Sequence, residues 1–231
     1  MLQARRLLSP VAALPPEPLY FFRHGETFFN AEGRIQGQLD TPLSPHGRDQ
    51  AGEAGAALVG ALRADGFDPS TPAYFASPLS RATETMGLAR RAMGLPVEDF
   101  TTDPLLMELS FGRWQNLTWP EIGARDPGEV AARQKDVWSF TPPGGESYAA
   151  LTQRVGEWLA GLSGPAVAAA HGGVARALMV LLGGLSTSDA VSMPVHQGRI
   201  LVFSGGKGGW IDARSPVVQA PRGIGPPGDL C

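Results

Sequence analysis

Three short apolar runs constrain this chain most: PLYFF at 18–22, AYFAS at 73–77 and AVAAA at 166–170. Each has strand length and no charge, and each leads to a helix-starting signal. After PLYFF a polar loop runs to about Leu43. There Ser44 and Pro45 supply an N-cap and a first-turn proline for HGRDQAGEAGAALVGALRA. AYFAS is followed by PLSRATETMGLARRAMG, with proline at its head and glycine at its end, and AVAAA delivers HGGVARALMVLLGG. Between these units the spacing predicts a short strand near Leu105 to Met107. Short helices over the sheet should follow, one opened by a capping box of Thr118 and Glu121, then a helix capped by Ser147. RILVFS and WIDA, separated by GGKGG, read as a closing hairpin. Alternating strand and helix signals imply an α/β domain with a mostly parallel sheet.

At 231 residues one core can absorb the chain, so a single domain is expected over residues 19–212. An N-terminal tail, 1–18, and a Pro/Gly-rich C-terminal tail, 213–231, flank it. The start, MLQARRLLSPVAALPPEP, has its apolar stretch cut by Ser9 and Pro10, short of a secretory core. The formal net charge is -3 and the cations are scattered, which removes nucleic acid from the expected partners. The one cysteine, Cys231, permits no intrachain disulfide, so a reducing cytoplasm is the expected compartment. AVAAAHGGVARALMVLLGGL nears membrane-spanning length, yet His171 and Arg176 stand inside it and glycines interrupt it. A buried strand, turn and helix explain it, and no membrane association is expected.

In an open α/β sheet, ligands bind beyond the carboxyl ends of the strands. The chain places Arg23 and His24 after the first run, Ser77 and then Arg81 after the second, and His171 after AVAAA. Free backbone N–H groups at the glycines and helix starts that follow favour an anion. Arginine's planar fork matches a pair of phosphoryl oxygens, and two of them beside histidines suit charge spread over a transferring phosphoryl group. Each residue alone has a plainer use, since a histidine after a strand usually serves structure and a helical arginine is usually half of a surface ion pair. Joint placement after three separate strands carries the argument. No metal is expected: four histidines are few for a cage, and Arg23 would repel a cation beside His24. His46 is expected to be exposed in the first turn of its helix, and His196 to be structural.

In order along the chain, FRHGETFFNAEGRIQG, LDTPLSPHGRDQA, SPLSRATET, ELSFGRW, PPGGES and AAAHGG resemble the signature segments of the histidine phosphatase family, phosphoglycerate-mutase-like branch. The resemblance runs from about Tyr20 to Phe203. It implies a three-layer α/β/α fold around a mostly parallel mixed sheet. By position it makes His24 the nucleophile that becomes a phosphohistidine. Arg23, Arg81 and His171 would clamp the phosphoryl oxygens, joined by Asn30, Gln36 and Gly37 from the loop, with Thr27 and Gly172 as further hydroxyl and backbone donors. Glu108 would protonate the departing oxygen and then activate water. The implied partner is a small-molecule phosphate monoester, with no cofactor. The physical chemistry agrees: attack needs a neutral imidazole, which neighbouring arginines favour, and its other nitrogen needs an acceptor such as a backbone carbonyl.

A mutase of this branch, dependent on 2,3-bisphosphoglycerate, would need further cations for the second anionic end of its intermediate. Family mutases share a basic pair in the region where this chain has KDVWSFTPPGGES, which lacks one. That region is aromatic instead, with Phe111, Trp114, Trp119, Trp138 and Phe140, most of them expected in the core. With Phe28 and Phe29 they favour a phosphate monoester whose leaving group is uncharged or partly apolar, with Arg113, Arg125, Arg133 and Lys135 as the cations within reach. A non-catalytic phosphate-binding regulatory protein would have no use for Glu108 as a proton donor. The expected activity is therefore that of a metal-independent phosphatase. A homodimer through an exposed sheet edge or the aromatic segment is compatible with it.

Overall fold

The computed structural model describes residues 18–205 and 207–213. Six strands form one sheet: β1 Leu19–Arg23, β2 Ala73–Ala76, β3 Thr101–Thr102, β4 Ala166–Ala170, β5 Arg199–Ser204 and β6 Lys207–Asp212. Their order is β3-β2-β4-β1-β5-β6. The first four run parallel, whereas β5 lies antiparallel to β1 and β6 to β5. The helices are α1 Phe28–Ala31, α2 Pro45–Ala64, α3 Ser80–Ala92, α4 Trp119–Arg125, α5 Pro127–Lys135, α6 Tyr148–Ala160, α7 Gly172–Leu181 and α8 Thr187–Ser192.

The period-two alternation of the central strands feeds two cores. Leu19 and Phe21 of β1, with Ala168 and Ala170 of β4, pack with Leu151 and Val155 of α6 and Leu178 of α7. On the opposite face Tyr20 and Phe22, with Val167 and Ala169, pack with Leu58 and Leu62 of α2 and Met86 of α3. Helices on both faces make the three-layer arrangement, and β4 is buried along its whole length between β1 and β2. Start signals hold where local chemistry decides them. Ser44 Oγ accepts the Gly47 N–H, Thr118 and Glu121 cap α4 reciprocally, and Ser147 Oγ accepts the Ala150 N–H.

Two sequence expectations are corrected. Residues 105–107 form no strand; Pro104–Leu106 is a 3-10 turn and the paired strand is only Thr101–Thr102. Pro104 fixes its own φ, and the Asp103 side chain accepts the Leu105 N–H at 2.9 Å, so the chain turns before its apolar residues. In the hairpin, β6 begins at Lys207, with Ser204 opposite Lys207 and Gly205 at φ +55° in the turn. Residues 1–17 and 214–231, which include nearly all of both tails and Cys231, lie outside the described residues. Among the described residues no helix is long and apolar enough to cross a membrane.

The chain leaving β1 crosses the start of α2 at backbone contact. A Cβ at Gly25 would stand 2.1 Å from the Gly47 carbonyl oxygen, and one at Gly47 would stand 2.0 Å from that of Glu26. Three hydrogen bonds pin this crossing: Ser44 N–H to Glu26 O at 2.8 Å, Glu26 N–H to Gln50 Oε1 at 2.9 Å and Gly25 N–H to Thr85 Oγ1 at 3.1 Å. Gly25→Ala or Gly47→Ala must therefore shift backbone, at a cost of about 1–3 kcal/mol or more. Gly52, in the same helix, has open space at its Cβ position, so Gly52→Ala should be neutral or stabilising by up to about 1 kcal/mol. Urea midpoints of the three variants against the parent check the contrast.

Candidate active site

Parallel pairing brings the carboxyl ends of three strands level. Arg23 lies opposite Ala170 and Ala76 opposite Ala169. The next residues are held in the same plane, with His24 N–H donating to Ala170 O at 2.8 Å and Ser77 N–H to Ala169 O at 3.0 Å. His24, Ser77 and His171 therefore meet at one edge although they lie far apart in sequence. The two imidazole rings are 5.2 Å apart, and His171 Nε2 is 2.7 Å from Ser77 Oγ.

His24 is buried, and its Nδ1 lies 2.7 Å from the carbonyl oxygen of Gly25. Only an N–H can bond a carbonyl, so the ring proton sits on Nδ1 and the lone pair on Nε2. Arg81 directs its Nε–H at that lone pair from 3.3 Å, while its Nη1 and Nη2 donate to Leu39 O at 2.8 Å and Gly37 O at 2.6 Å. Burial holds the His24 pKa well below its ordinary value, and Arg23 and Arg81 push it further down. His171 is depressed in the same way, by burial first and then by Arg81, His24 and Arg23. Burial pushes Arg81 down to about 10, which leaves it cationic at neutral pH. Arg23 donates from Nη1 to Val195 O at 2.9 Å. Its Nε, His171 Nδ1 and Arg176 Nε are buried without a partner among the described residues. Such nitrogens cost roughly 1–3 kcal/mol each unless a group from outside the chain meets them.

Glu108 sits across from this edge, its carboxylate on the first turn of α7. Oε1 accepts the N–H of Leu109 at 2.8 Å and of Gly173 at 3.1 Å, and Oε2 lies 3.2 Å from the Gly173 nitrogen. A Cβ at Gly173 would fall 2.2 Å from Oε1, so glycine admits the carboxylate there. Arg154, paired with Glu146, donates to the carbonyls of Leu105 and Glu108 and holds the backbone of that segment.

His24, Arg23, Arg81 and Glu108, with Asn30, Gln36 and Gly37, share the wall of one cleft of about 500 Å³. Asn30 Oδ1 accepts from Thr27 N–H and Oγ1–H, which turns the NH₂ end of the amide the opposite way. Gln36 Oε1 accepts from Thr41 Oγ1 at 2.6 Å, with the same effect. Three expected residues lie off that wall. His171 lies beside His24 with no exposed surface, and Gly172 lies near Arg23, a Cβ there falling 3.8 Å from Arg23 Nε. Thr27 spends its hydroxyl on Asn30 as the N-cap of α1.

Sequence reasoning missed Arg34, Tyr148 and Arg176, which also line the cleft, and it could not single out Arg133 from its neighbours. Arg113 and Arg125 instead meet Asp126. Arg176 stands on α7 five residues after its N-cap, His171, and that spacing past the HGG turn is the signal for it in the sequence. Phe111 and Trp119 line the cleft, whereas Trp114 is buried and stacks on Phe140. His46 and His196 are both exposed. Among the described residues no group of three or more His, Cys, Asp or Glu side chains is placed to hold a metal ion.

The two depressed histidines make stability depend on pH. Both are neutral when folded and protonate near pH 6.5 when unfolded, so unfolding below about pH 6.5 takes up protons. Their contribution is intact above that pH and is lost as pH falls, at up to about 1.4 kcal/mol per unit per histidine. Urea unfolding at several pH values between 5 and 7.5 should show this slope, and His171→Asn should remove one histidine's share.

The profile of the Histidine phosphatase superfamily (branch 1) matches residues 19–214. Glucosyl-3-phosphoglycerate phosphatase of Mycolicibacterium vanbaalenii is 37% identical over 183 residues, covering 74% of this chain and 76% of that protein. The alpha-ribazole phosphatase structure from Shigella flexneri has a TM-score of 0.71 at 26% identity, over 89% of this chain and 100% of that one. A mycobacterial glucosyl-3-phosphoglycerate phosphatase complexed with VO3 has a TM-score of 0.65 at 32% identity, over 80% and 90%. Fold, ordered segments and relatives agree, and this chain belongs to the histidine phosphatase superfamily.

Proposed function

We propose that the protein is a metal-independent phosphatase that hydrolyses small phosphate monoesters through a phosphohistidine on Nε2 of His24. One observation carries the reading: the Nδ1–H bond to Gly25 O leaves an unprotonated Nε2 among guanidinium groups, with a carboxyl group in the same cleft. In the first step Nε2 attacks phosphorus, the P–O bond to the leaving group breaks, and protonated Glu108 gives its proton to the departing oxygen. The alcohol leaves. In the second step water attacks the phosphohistidine, Glu108 takes a proton from it, the P–N bond breaks, and inorganic phosphate departs with His24 and Glu108 restored. Arg23 and Arg81, with Asn30, Gln36 and the Gly37 segment, hold the phosphoryl oxygens while charge spreads over them. His171 Nε2 lies 2.7 Å from Ser77 Oγ; with the hydroxyl donating there, the ring proton sits on Nδ1, which has no partner among the described residues and is free to meet the same oxygens. With Thr27 as a capping residue, the loop keeps Asn30 in place, and Gly172 leaves room for Arg23. A chain with one cysteine and no possible intrachain disulfide suits a reducing compartment such as the cytoplasm.

One observation favours a second reading, a mutase dependent on 2,3-bisphosphoglycerate: Arg133 and Arg176 add cations to the cleft. An assay separates the two. With an aryl phosphate in excess chelator the parent should turn over and His24→Ala should not. Glu108→Gln should lower kcat for an alkyl phosphate by about 10²- to 10⁴-fold, and less for the aryl ester, whose leaving group needs little protonation. Turnover undiminished in His24→Ala overturns the mechanism. Isomerisation of 3-phosphoglycerate, primed with its bisphosphate, faster than phosphate release selects the mutase.

A further inference from the structure

The aromatic residues between Phe111 and Phe140 favour an uncharged or partly apolar leaving group, and no basic pair stands between Lys135 and Ser147. The fold assembles such a pair from two separate helices. Arg133 of α5 and Arg176 of α7 both line the cleft, with Tyr148 between the same walls. Neither has a carboxylate within 4 Å among the described residues, in contrast to Arg34, which meets Glu32 and Glu121. Among the residues of the cleft wall, Glu108 is the only carboxylate, and it is engaged by the N–H groups of Leu109 and Gly173.

Both guanidinium groups are built into place. Arg176 donates to Gly172 O at 3.3 Å and Met193 O at 3.1 Å, while its Nε is buried and unpartnered. Arg133 lies over the Trp119 ring, 4.7 Å from its centroid, which occupies the face of the guanidinium and leaves its in-plane N–H donors for an oxyanion. The groups are close enough to act on one another. Burial and then Arg176 lower the Arg133 pKa, and Tyr148, raised by burial, is stabilised as its anion by both arginines. Arg176 also neighbours Arg23, since the Cβ position of Gly172 is 3.4 Å from Arg176 Nη1 and 3.8 Å from Arg23 Nε. A cleft of about 500 Å³ falls in the range of small-molecule sites and exceeds what one phosphoryl group fills.

We propose that the leaving group of the substrate carries a second anion, a carboxylate or a further phosphate, bound by Arg133 and Arg176 beside Tyr148 on the Arg23 side of the cleft. This deepens the phosphatase reading and rests on it for the word substrate, but the subsite itself is a matter of binding. Like charges gathered without a carboxylate partner are stabilised by an anion, and two arginine forks bind one through short charge-assisted hydrogen bonds.

The test compares 3-phosphoglycerate with glycerol 3-phosphate, which replaces the carboxylate by a hydroxymethyl group, and with propane-1,3-diol bisphosphate. Calorimetric titration of His24→Asn protein, which cannot turn the probes over, should give the acid an affinity on the order of tenfold above glycerol 3-phosphate, about 1.4 kcal/mol. Adding Arg133→Gln should bring the two within about twofold, and Arg133→Lys should keep most of the difference. The bisphosphate binding better than the acid identifies a phosphate as the second anion; the reverse identifies a carboxylate. Equal affinity for all three probes overturns the subsite. Turnover by the parent separates the two proposals. Hydrolysis of all probes at one kcat/KM overturns the subsite and leaves the phosphatase standing. No hydrolysis of any probe, nor of the aryl ester, overturns the phosphatase, while the titration still decides the subsite.

Discussion

Everything at the site depends on three parallel strands ending at one level. The bonds from His24 N–H to Ala170 O and from Ser77 N–H to Ala169 O continue the ladder one residue past the strands. In the proposed reaction that extra residue after β1 is the nucleophile, His24. Because the ladder sets its position, the two imidazoles meet without any side chain of the site having to bind them together. The alanines of β4 contribute by bulk, since small side chains on a wholly buried strand let flanking helices pack close to the sheet.

The second organising feature is how positive charge is held. Arg81 is tied to the carbonyls of Leu39 and Gly37, Arg23 to Val195, and Arg176 to Gly172 and Met193. A carbonyl fixes a guanidinium through its dipole yet cancels none of its net charge, whereas a carboxylate would do both. The cleft thus keeps its arginines rigid and its potential positive. Burial first, and the same field after it, hold His24 and His171 neutral, so the machinery that attracts an anion also helps preserve the lone pair that would attack it.

Much of this was legible in the sequence, for identifiable reasons. Ser44, Thr118 and Ser147 declare helix starts because capping is settled within four residues. His24, Arg81 and His171 declare themselves because each follows a strand at a fixed offset. The strand expected near residue 105 failed because one Asp-Pro pair redirected the chain locally. The capping of α1 by Thr27 was not legible, although Asn30 stands three residues on, because the polar loop offers several equivalent starts. Arg133 and Arg176 were hidden for another reason: their pairing is made by the packing of α5 and α7 around one cleft, and no spacing in the chain records it.

The helix that brings Arg133 to the cleft, α5, buries none of its residues, and α4 before it buries only Ile122. The His24 end of the cleft is part of the core, with His24 and Arg81 buried; the opposite wall is attached to it by few apolar contacts. Substitutions along residues 119–135 can therefore reshape what the wall recognises at little expense to folding. A scaffold divided in this way can acquire new substrates by redrawing one surface segment while its reactive end stays unaltered.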